Sequence, residues 1–288
     1  MPKIGAHMSI AGGVSRALDR GEELGLDTIQ IFTKNANQWR GKPITDTERE
    51  RFIRRHEETG IDPVVAHDSY LINLASPDRE MLERSLRAFE DEMDRCHILK
   101  VPYLVMHPGG HLGSGESRGI KQIGEAIRVA LMEKEETGVR VILETTAGQG
   151  TQLGYRFEHL RDIMDKVDMP ERMGVCLDTC HIFAAGYDIR TREAYAETMD
   201  RFDEILGIET LQVIHANDSK KGLGSHVDRH EHIGMGQIGE EAFSFFLNDT
   251  RLNRLPYILE TPKTSPESQV PMDTVNVSRL RKLIGRRL

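Results

Sequence analysis

The chain has 288 residues, 38% of them hydrophobic and 29% charged, a composition typical of a globular protein with a substantial core. Its formal net charge of −8 by itself disfavours a nucleic-acid partner, because phosphate binding requires positive potential. Three cysteines are too few for a disulfide scaffold, and no apolar stretch approaches the roughly 20 residues that span a bilayer.

The N-terminal residues 1–13 lack the long apolar core of a signal peptide. We therefore expect a cytoplasmic protein with no membrane contact. Cys176 and Cys180 lie in one apolar stretch, where we expect them to serve as small hydrophobic residues rather than as ligands.

Short apolar runs recur along the chain and predict β-strands. After residues 3–7 and 28–32, six further runs each end in a residue that can bind a metal: His67, His107, Glu144, Asp178, His215 and Glu260. Consecutive members of this set are 34 to 45 residues apart, near the 36 obtained by dividing the chain length by eight. That spacing accommodates one strand, one helix and two loops.

Amphipathic patterns, most of them flanked by Gly or Pro, separate the runs and predict helices at 14–24, 46–59, 77–99, 119–137, 155–167, 191–206, 239–248 and 273–283. Eight regular βα units without a flexible linker predict an α/β fold, a single (β/α)₈ TIM barrel over residues 1–288. An open, doubly wound sheet is the competing topology, but the chain has no Gly-x-Gly-x-x-Gly after its first strand.

Two loops of the predicted barrel are long and polar. Residues 33–43 follow the second strand and contain the only tryptophan, and residues 215–239 follow the seventh. Both belong to the face formed by the carboxyl ends of the strands, where barrel enzymes have their active sites. We therefore predict functional roles for both loops.

Nine candidate ligands are expected on that face, because His181, Asp228 and His230 join the six residues at the strand ends. Five imidazoles and four carboxylates cannot be buried together without cations that neutralise and coordinate them. Mixed histidine and carboxylate ligation suits zinc, manganese or iron, and nine ligands with shared carboxylates would serve up to three ions.

Seven motifs, spread over almost the whole chain, resemble those of the endonuclease IV family. They are HDSYLINL at 67–74, HPG at 107–109, ETTAGQG at 144–150, LDTCH at 177–181, HANDSK at 215–220, DRHEHIG at 228–234 and ETP at 260–262.

The resemblance implies a monomeric, zinc-dependent DNA-repair endonuclease that cleaves double-stranded DNA on the 5′ side of abasic sites. The products would be a 3′-hydroxyl and a 5′-deoxyribose phosphate. The implied ligand sets are His67, His107 and Glu144 for one zinc, Glu144 with Asp178, His215 and Glu260 for a second, and His181, Asp228 and His230 for a third. Glu144, the implied bridge, is the predicted catalytic residue. Three Zn²⁺ ions would outweigh the four carboxylates and give this acidic protein a positive pocket.

The resemblance also implies that the loops contact DNA, and we predict DNA-binding roles for Asn35, Gln38, Trp39, Tyr70 and Lys220. Packing within the loop is the alternative role of Trp39, and plain solvation is that of Lys220. Asn37 stands where some family members have an arginine.

Another class of enzyme fits part of the pattern. Sugar isomerases and epimerases of the xylose-isomerase-like barrels use a Glu, Asp, His, Glu set, which Glu144, Asp178, His215 and Glu260 would satisfy. That assignment leaves the other five candidate ligands without a role. A metal-dependent DNA-binding module without catalysis is a third possibility, which product analysis would separate from a nuclease.

Overall fold

The computed structural model describes residues 1–264 and 271–286. In these ranges the strands are β1 Lys3–His7, β2 Thr28–Phe32, β3 Val64–His67, β4 Tyr103–Met106, β5 Arg140–Glu144, β6 Met173–Asp178, β7 Leu211–His215, β8 Asp218–Ser219, β9 His230–Glu231 and β10 Pro256–Leu259. All but β8 and β9 pair in parallel, and β1 pairs with both β2 and β10, which closes the sheet into an eight-stranded barrel. The predicted TIM barrel is therefore confirmed.

Helices connect successive barrel strands. Over the described ranges they are α1 Arg16–Glu23, α2 Asp46–Thr59, α3 Arg79–Leu99, α4 Glu116–Glu133, α5 Phe157–Val167, α6 Thr179–Ala185, α7 Arg192–Leu206, α8 Glu240–Asn248 and α9 Met272–Leu283. Short 3₁₀ turns at Glu135–Thr137, Pro170–Arg172 and Ile208–Thr210 precede β5, β6 and β7. Within the described part of the chain, no helix is both long and apolar enough to cross a membrane.

Local capping signals account for the helix ends that the sequence predicted well. Helix α2 has the predicted bounds because the Thr45 hydroxyl and the Glu48 side chain form a capping box at its start. Gly60 ends it in the left-handed conformation, with φ of 65°.

The largest differences from the predicted helices concern α4 and α6. Helix α4 starts three residues earlier than predicted, at Glu116, and the predicted end at Thr137 belongs to a separate 3₁₀ turn. Residues 179–185, which are not among the predicted helices, form the short helix α6, because the Asp178 carboxylate accepts a hydrogen bond from the His181 N–H and caps the helix.

The barrel interior is filled by a compact apolar layer below the carboxyl ends of the strands. It consists of Val65, Val105, Ile142, Cys176, Val213 and Ile258, all fully buried. Cys176 packs here as a small hydrophobic residue, and burial raises the pKa of its thiol to about 12. A larger core lies between the strands and the surrounding helices, and it takes up the apolar faces of the helices.

Candidate metal centre

The carboxyl ends of six barrel strands place the candidate ligands on one face. His67, Glu144, Asp178 and His215 are the last residues of β3, β5, β6 and β7. His107 and Glu260 directly follow β4 and β10. Because all eight barrel strands are parallel, side chains that are far apart in sequence converge there.

The remaining three candidates come from α6 and from the loop after β7. His181 lies in the first turn of α6, and His230 lies on β9, which pairs with β8 in an antiparallel hairpin. Asp228 lies just before this hairpin strand. The loop therefore carries local structure of its own, which the sequence analysis did not predict.

Glu144 is the residue that joins two groups of ligands. Its Oε2 atom lies 3.0 Å from His67 Nε2 and 3.2 Å from His107 Nε2. Its Oε1 atom lies 2.9 Å from His215 Nδ1, which is also 3.2 Å from Glu260 Oε2. The two oxygens of one fully buried carboxylate thus face different ligand groups, which is the arrangement of a bridging ligand.

A third group lies beside the second. Asp228 Oδ1 is 3.3 Å from both His181 Nε2 and His230 Nε2, and the two imidazole nitrogens are 3.5 Å apart. Asp178 Oδ2 lies 3.8 Å from His215 Nδ1 and 3.7 Å from His230 Nε2. Asp178 is therefore within reach of both the second and the third group.

The spacing of the donor atoms in the third group fits a zinc ion. With zinc–ligand bonds of roughly 2.0–2.1 Å, tetrahedral geometry separates neighbouring ligand atoms by about 3.4 Å. The separations within the third group, 3.3 to 3.5 Å, agree with this value.

The hydrogen bonds on the far side of the imidazole rings also favour cations. The Nδ1–H group of His181 donates to the Thr145 carbonyl oxygen at 2.8 Å, and that of His230 donates to the Glu260 carbonyl oxygen at 3.3 Å. In their neutral forms both rings therefore present lone pairs to each other and to a carboxylate. Such a cluster of electron-pair donors is stable only around positive charge.

Three polar residues that the sequence analysis missed hold the ligands in place. The fully buried Gln30 donates to Glu260 Oε1 at 2.6 Å and accepts from His215 Nε2 at 2.8 Å. Asn217 donates to Asp178 Oδ2 at 2.7 Å, and Thr145 Oγ1 accepts the Asp178 N–H at 2.9 Å.

A polar residue inside an apolar strand, as in Thr28–Phe32, is the signal that would have identified Gln30. His7, which was not predicted as a ligand, lies beside the same amide, with Nδ1 3.0 Å from Gln30 Nε2.

The surroundings of Glu144 keep its buried carboxylate ionised. Burial alone would raise the pKa of Glu144, but the imidazoles of His215 and His107 outweigh this effect and hold the pKa well below its usual range. The ionised carboxylate is the form in which Glu144 can bind a metal ion.

The predicted DNA-contact residues lie around this face, with different surroundings. Asn35, Gln38 and Lys220 are exposed, and Lys220 Nζ lies 3.9 Å from Glu231 Oε2. Trp39 is half-buried against the core, and the Arg84 guanidinium lies 4.3 Å above its ring. The indole therefore packs within the protein, and its contact with DNA stays a prediction.

Tyr70 is 64% exposed and lies next to the ligands. Its ring packs edge-on against Phe32, with centroids 5.2 Å apart, and lies 6.0 Å from the His67 ring. Exposed Asn37 lies on the loop after β2.

The same loop is anchored by charges buried beneath it. Lys34 Nζ contacts Glu92 Oε1 at 2.7 Å and Asp91 Oδ2 at 2.8 Å, both on α3. Arg95, also on α3, donates to the Thr33 hydroxyl and carbonyl oxygens. These contacts fix the root of the loop while its tip stays exposed.

Comparison with known proteins places the chain among barrels of one kind. The profile of the xylose isomerase-like TIM barrels matches residues 18–280. A probable endonuclease 4 from Chloroflexus aurantiacus is 52% identical over 284 residues, which cover 99% of each chain. The solved endonuclease IV from Thermus thermophilus has 38% identity, 98% coverage of each chain and a TM-score of 0.84.

A D-tagatose 3-epimerase-like protein also superimposes, with a TM-score of 0.73 and coverage of 97% of this chain and 96% of its own. At 18% identity, this likeness shows a shared fold only.

Proposed function

The chain belongs to the endonuclease IV family, and on that premise we propose that it is an AP endonuclease of DNA repair. It would hydrolyse the phosphodiester 5′ to an abasic site in double-stranded DNA and leave a 3′-hydroxyl and a 5′-deoxyribose phosphate. The observation that carries the proposal is the set of three convergent ligand groups, two of which share Glu144.

We assign three zinc ions to these groups. His67, His107 and Glu144 would hold the first; Glu144, Asp178, His215 and Glu260 the second; and His181, Asp228 and His230 the third. Closely spaced zinc ions would lower the pKa of a water molecule and would stabilise negative charge on the phosphate oxygens. The protein contributes a rigid bridge at Glu144 and imidazoles whose orientation is fixed by hydrogen bonds on their outer side.

Recognition of the substrate would come from the loops around the centre. Exposed Tyr70 stands beside the His67 ring, where a rigid aromatic ring can fill the space that a displaced nucleotide leaves in the duplex. Asn35, Gln38, Trp39 and Lys220 would contact the flanking strands. Monomeric state and cytoplasmic location remain predictions from the sequence.

The sugar isomerase alternative has weaker support. Its four residues form the second ligand group, and the barrel resembles that of an epimerase-like protein. It gives no role to His67, His107, His181, Asp228 and His230, although all five lie at the same centre.

Product analysis on two damaged duplexes tests the reaction. One duplex carries a natural abasic site and the other its tetrahydrofuran analogue, which lacks the aldehyde needed for β-elimination. We expect incision of both, with a 3′-hydroxyl end and loss of activity after chelation, and no incision of an intact control duplex. Incision of the natural site alone, with a 3′ unsaturated aldehyde, would contradict hydrolysis, and sugar isomerisation without strand cleavage would support the alternative.

Metal content and the Glu144→Gln variant test the assigned centre. The wild-type protein should contain about three zinc ions by elemental analysis. Glu144→Gln removes one negative charge from the bridge, so turnover should fall by several orders of magnitude while binding of abasic DNA persists. The exposed Glu125→Gln serves as the matched control. Near-normal turnover in a fully metallated Glu144→Gln protein would mean that the bridge is assigned wrongly.

A further inference from the structure

We propose that Leu112 is a DNA-contact residue that forms, together with Tyr70, the apolar part of the wall of the pocket that receives the abasic nucleotide. This role rests on the proposed function and adds a residue to it. The inference comes from the exposure, the backbone conformation and the position of Leu112.

Leu112 has an unusual combination of exposure and conformation. Its side chain is 60% exposed, and its φ is 46°, in the left-handed region that a leucine rarely adopts. Three other non-glycine residues among those described have positive φ. Two of them, Lys100 and Asp168, are helix C-caps, where the left-handed conformation is common. Leu112 is the one apolar residue of this set and caps no helix. Strained positions of this kind cluster at functional sites.

The loop that carries Leu112 is held rigidly in this conformation. The Leu112 N–H donates to Thr151 Oγ1 at 3.2 Å, and the His111 N–H donates to the Thr151 carbonyl oxygen at 3.0 Å. The Asn73 side chain exchanges two hydrogen bonds with Gly110, at 2.9 and 3.1 Å. Gly109, with φ of 104°, allows this packing because a Cβ there would collide with Asn73. The leucine is therefore fixed towards solvent by its neighbours.

The position of Leu112 relates it to the metal centre. Leu112 and Tyr70 both line a cavity of about 390 Å³ that also includes His67, His107 and Asp228. The exposed side chains of Tyr70 and Leu112 thus line the same cavity as three proposed metal ligands. A nucleotide that enters this cavity would bring its phosphate to the ligands and its sugar against Tyr70 and Leu112.

The chemistry of an abasic site explains why an apolar wall would be useful. Without a base, the nucleotide exposes the apolar edge of its deoxyribose and leaves a gap in the base stack. An apolar side chain loses contact with water when it covers either surface, which favours binding. An intact duplex offers neither surface, so the contribution should be specific for abasic DNA.

The experiment compares Leu112→Gly and Leu112→Met with the control variant Lys100→Gly. Glycine removes the side chain and accepts positive φ without strain, so the Leu112→Gly protein should fold with a Tm no lower than that of the wild type. Lys100→Gly makes the same backbone change at the far end of α3, away from the cavity. The measurements are kcat/KM on tetrahydrofuran duplex, Kd for intact duplex at one salt concentration, zinc content and Tm.

We expect Leu112→Gly to lower kcat/KM on the abasic duplex about ten-fold. The Kd for intact duplex and the zinc content should not change, and Leu112→Met should keep kcat/KM within about two-fold of the wild type. Lys100→Gly should leave kcat/KM unchanged. Unchanged kcat/KM in Leu112→Gly, or an equal loss in Leu112→Met, would overturn the role of Leu112, as would loss of zinc. Failure of the wild-type protein to incise the abasic duplex would instead overturn the proposed function itself.

Discussion

Single residues at the metal centre are positioned by partners that do not themselves bind metal. The imidazole of His215 can present Nδ1 to Glu144 because its other nitrogen donates to Gln30 Oε1. The amide group of the same Gln30 holds Glu260 Oε1. One side chain on β2 therefore orients two proposed ligands that come from β7 and from the end of β10.

Replacement of Gln30 by alanine should weaken the second metal site selectively. His215 would lose the partner that fixes its tautomer, and Glu260 would lose a hydrogen-bond donor. Loss of such outer partners typically costs 10–100-fold in metal affinity. We expect one of three zinc ions to be removed at about ten-fold lower chelator concentration, as measured by elemental analysis after dialysis.

Gln122→Ala is the control for this prediction. Gln122 is a partly buried glutamine whose side chain bonds to the carbonyl oxygens of Leu74 and Ser76, away from the ligands. If Gln30→Ala retains zinc as well as Gln122→Ala does, the proposed positioning role is wrong.

At the scale of elements, the start of α4 is joined to the start of α5 by a polar cluster. Glu116 on α4 accepts hydrogen bonds from the Tyr155 hydroxyl and from Arg156, both just before α5. Arg156 also donates to Nε2 of buried His159, at 2.9 Å. Burial, and then the positive charge of Arg156, lower the pKa of His159.

This lowered pKa predicts a pH dependence of stability. The folded protein binds a proton at His159 less readily than the unfolded chain, so unfolding takes up a proton below about pH 6.5. The contribution of neutral His159 to the free energy of unfolding is fully present above that pH. It is lost as the pH falls, by at most about 1.4 kcal/mol per pH unit for one proton.

We expect His159→Gln to lose less stability than the wild type between about pH 6.5 and 5. The free energy of unfolding from urea titrations at several pH values measures this difference. The same substitution at exposed His97 is the control. Parallel pH profiles for the wild type and His159→Gln would show that His159 is not the group responsible.

At the scale of the whole molecule, the barrel brings many charged groups to one end. Four carboxylates and five imidazoles from six strands, one helix and one loop meet there, and most are buried. Without cations, burying these groups together raises the free energy of the folded state, whereas in the unfolded chain water solvates each of them separately. Metal binding should therefore stabilise the whole barrel.

Removal of the metal should lower the thermal stability. A ligand at a free concentration of 1,000 times its Kd stabilises the folded state by about 4 kcal/mol per site. We expect chelation to lower Tm by about ten degrees or more, in calorimetric scans at fixed protein concentration. Zinc should restore Tm, whereas magnesium, which prefers oxygen ligands, should not. An unchanged Tm after complete chelation would contradict the proposed centre.

The sequence alone determined the fold class, because its signals are local. Each strand, helix and cap depends on residues that are close in sequence, as at Thr45, Glu48 and Gly60 of α2, and the regular repeat of about 36 residues then predicts the barrel. The same repeat placed His67, Glu144 and His215 on one face, since parallel strands must share an end. The motifs identified the family, which the comparisons confirmed.

The tertiary structure decided which of these side chains meet, and through which atoms. The two oxygens of Glu144 face different ligand groups, and Gln30 connects residues 185 and 230 positions away. The left-handed conformation of Leu112 depends on contacts with Thr151. No local pattern records such distances, because they depend on strand register and barrel closure, which bring together segments that are remote along the chain.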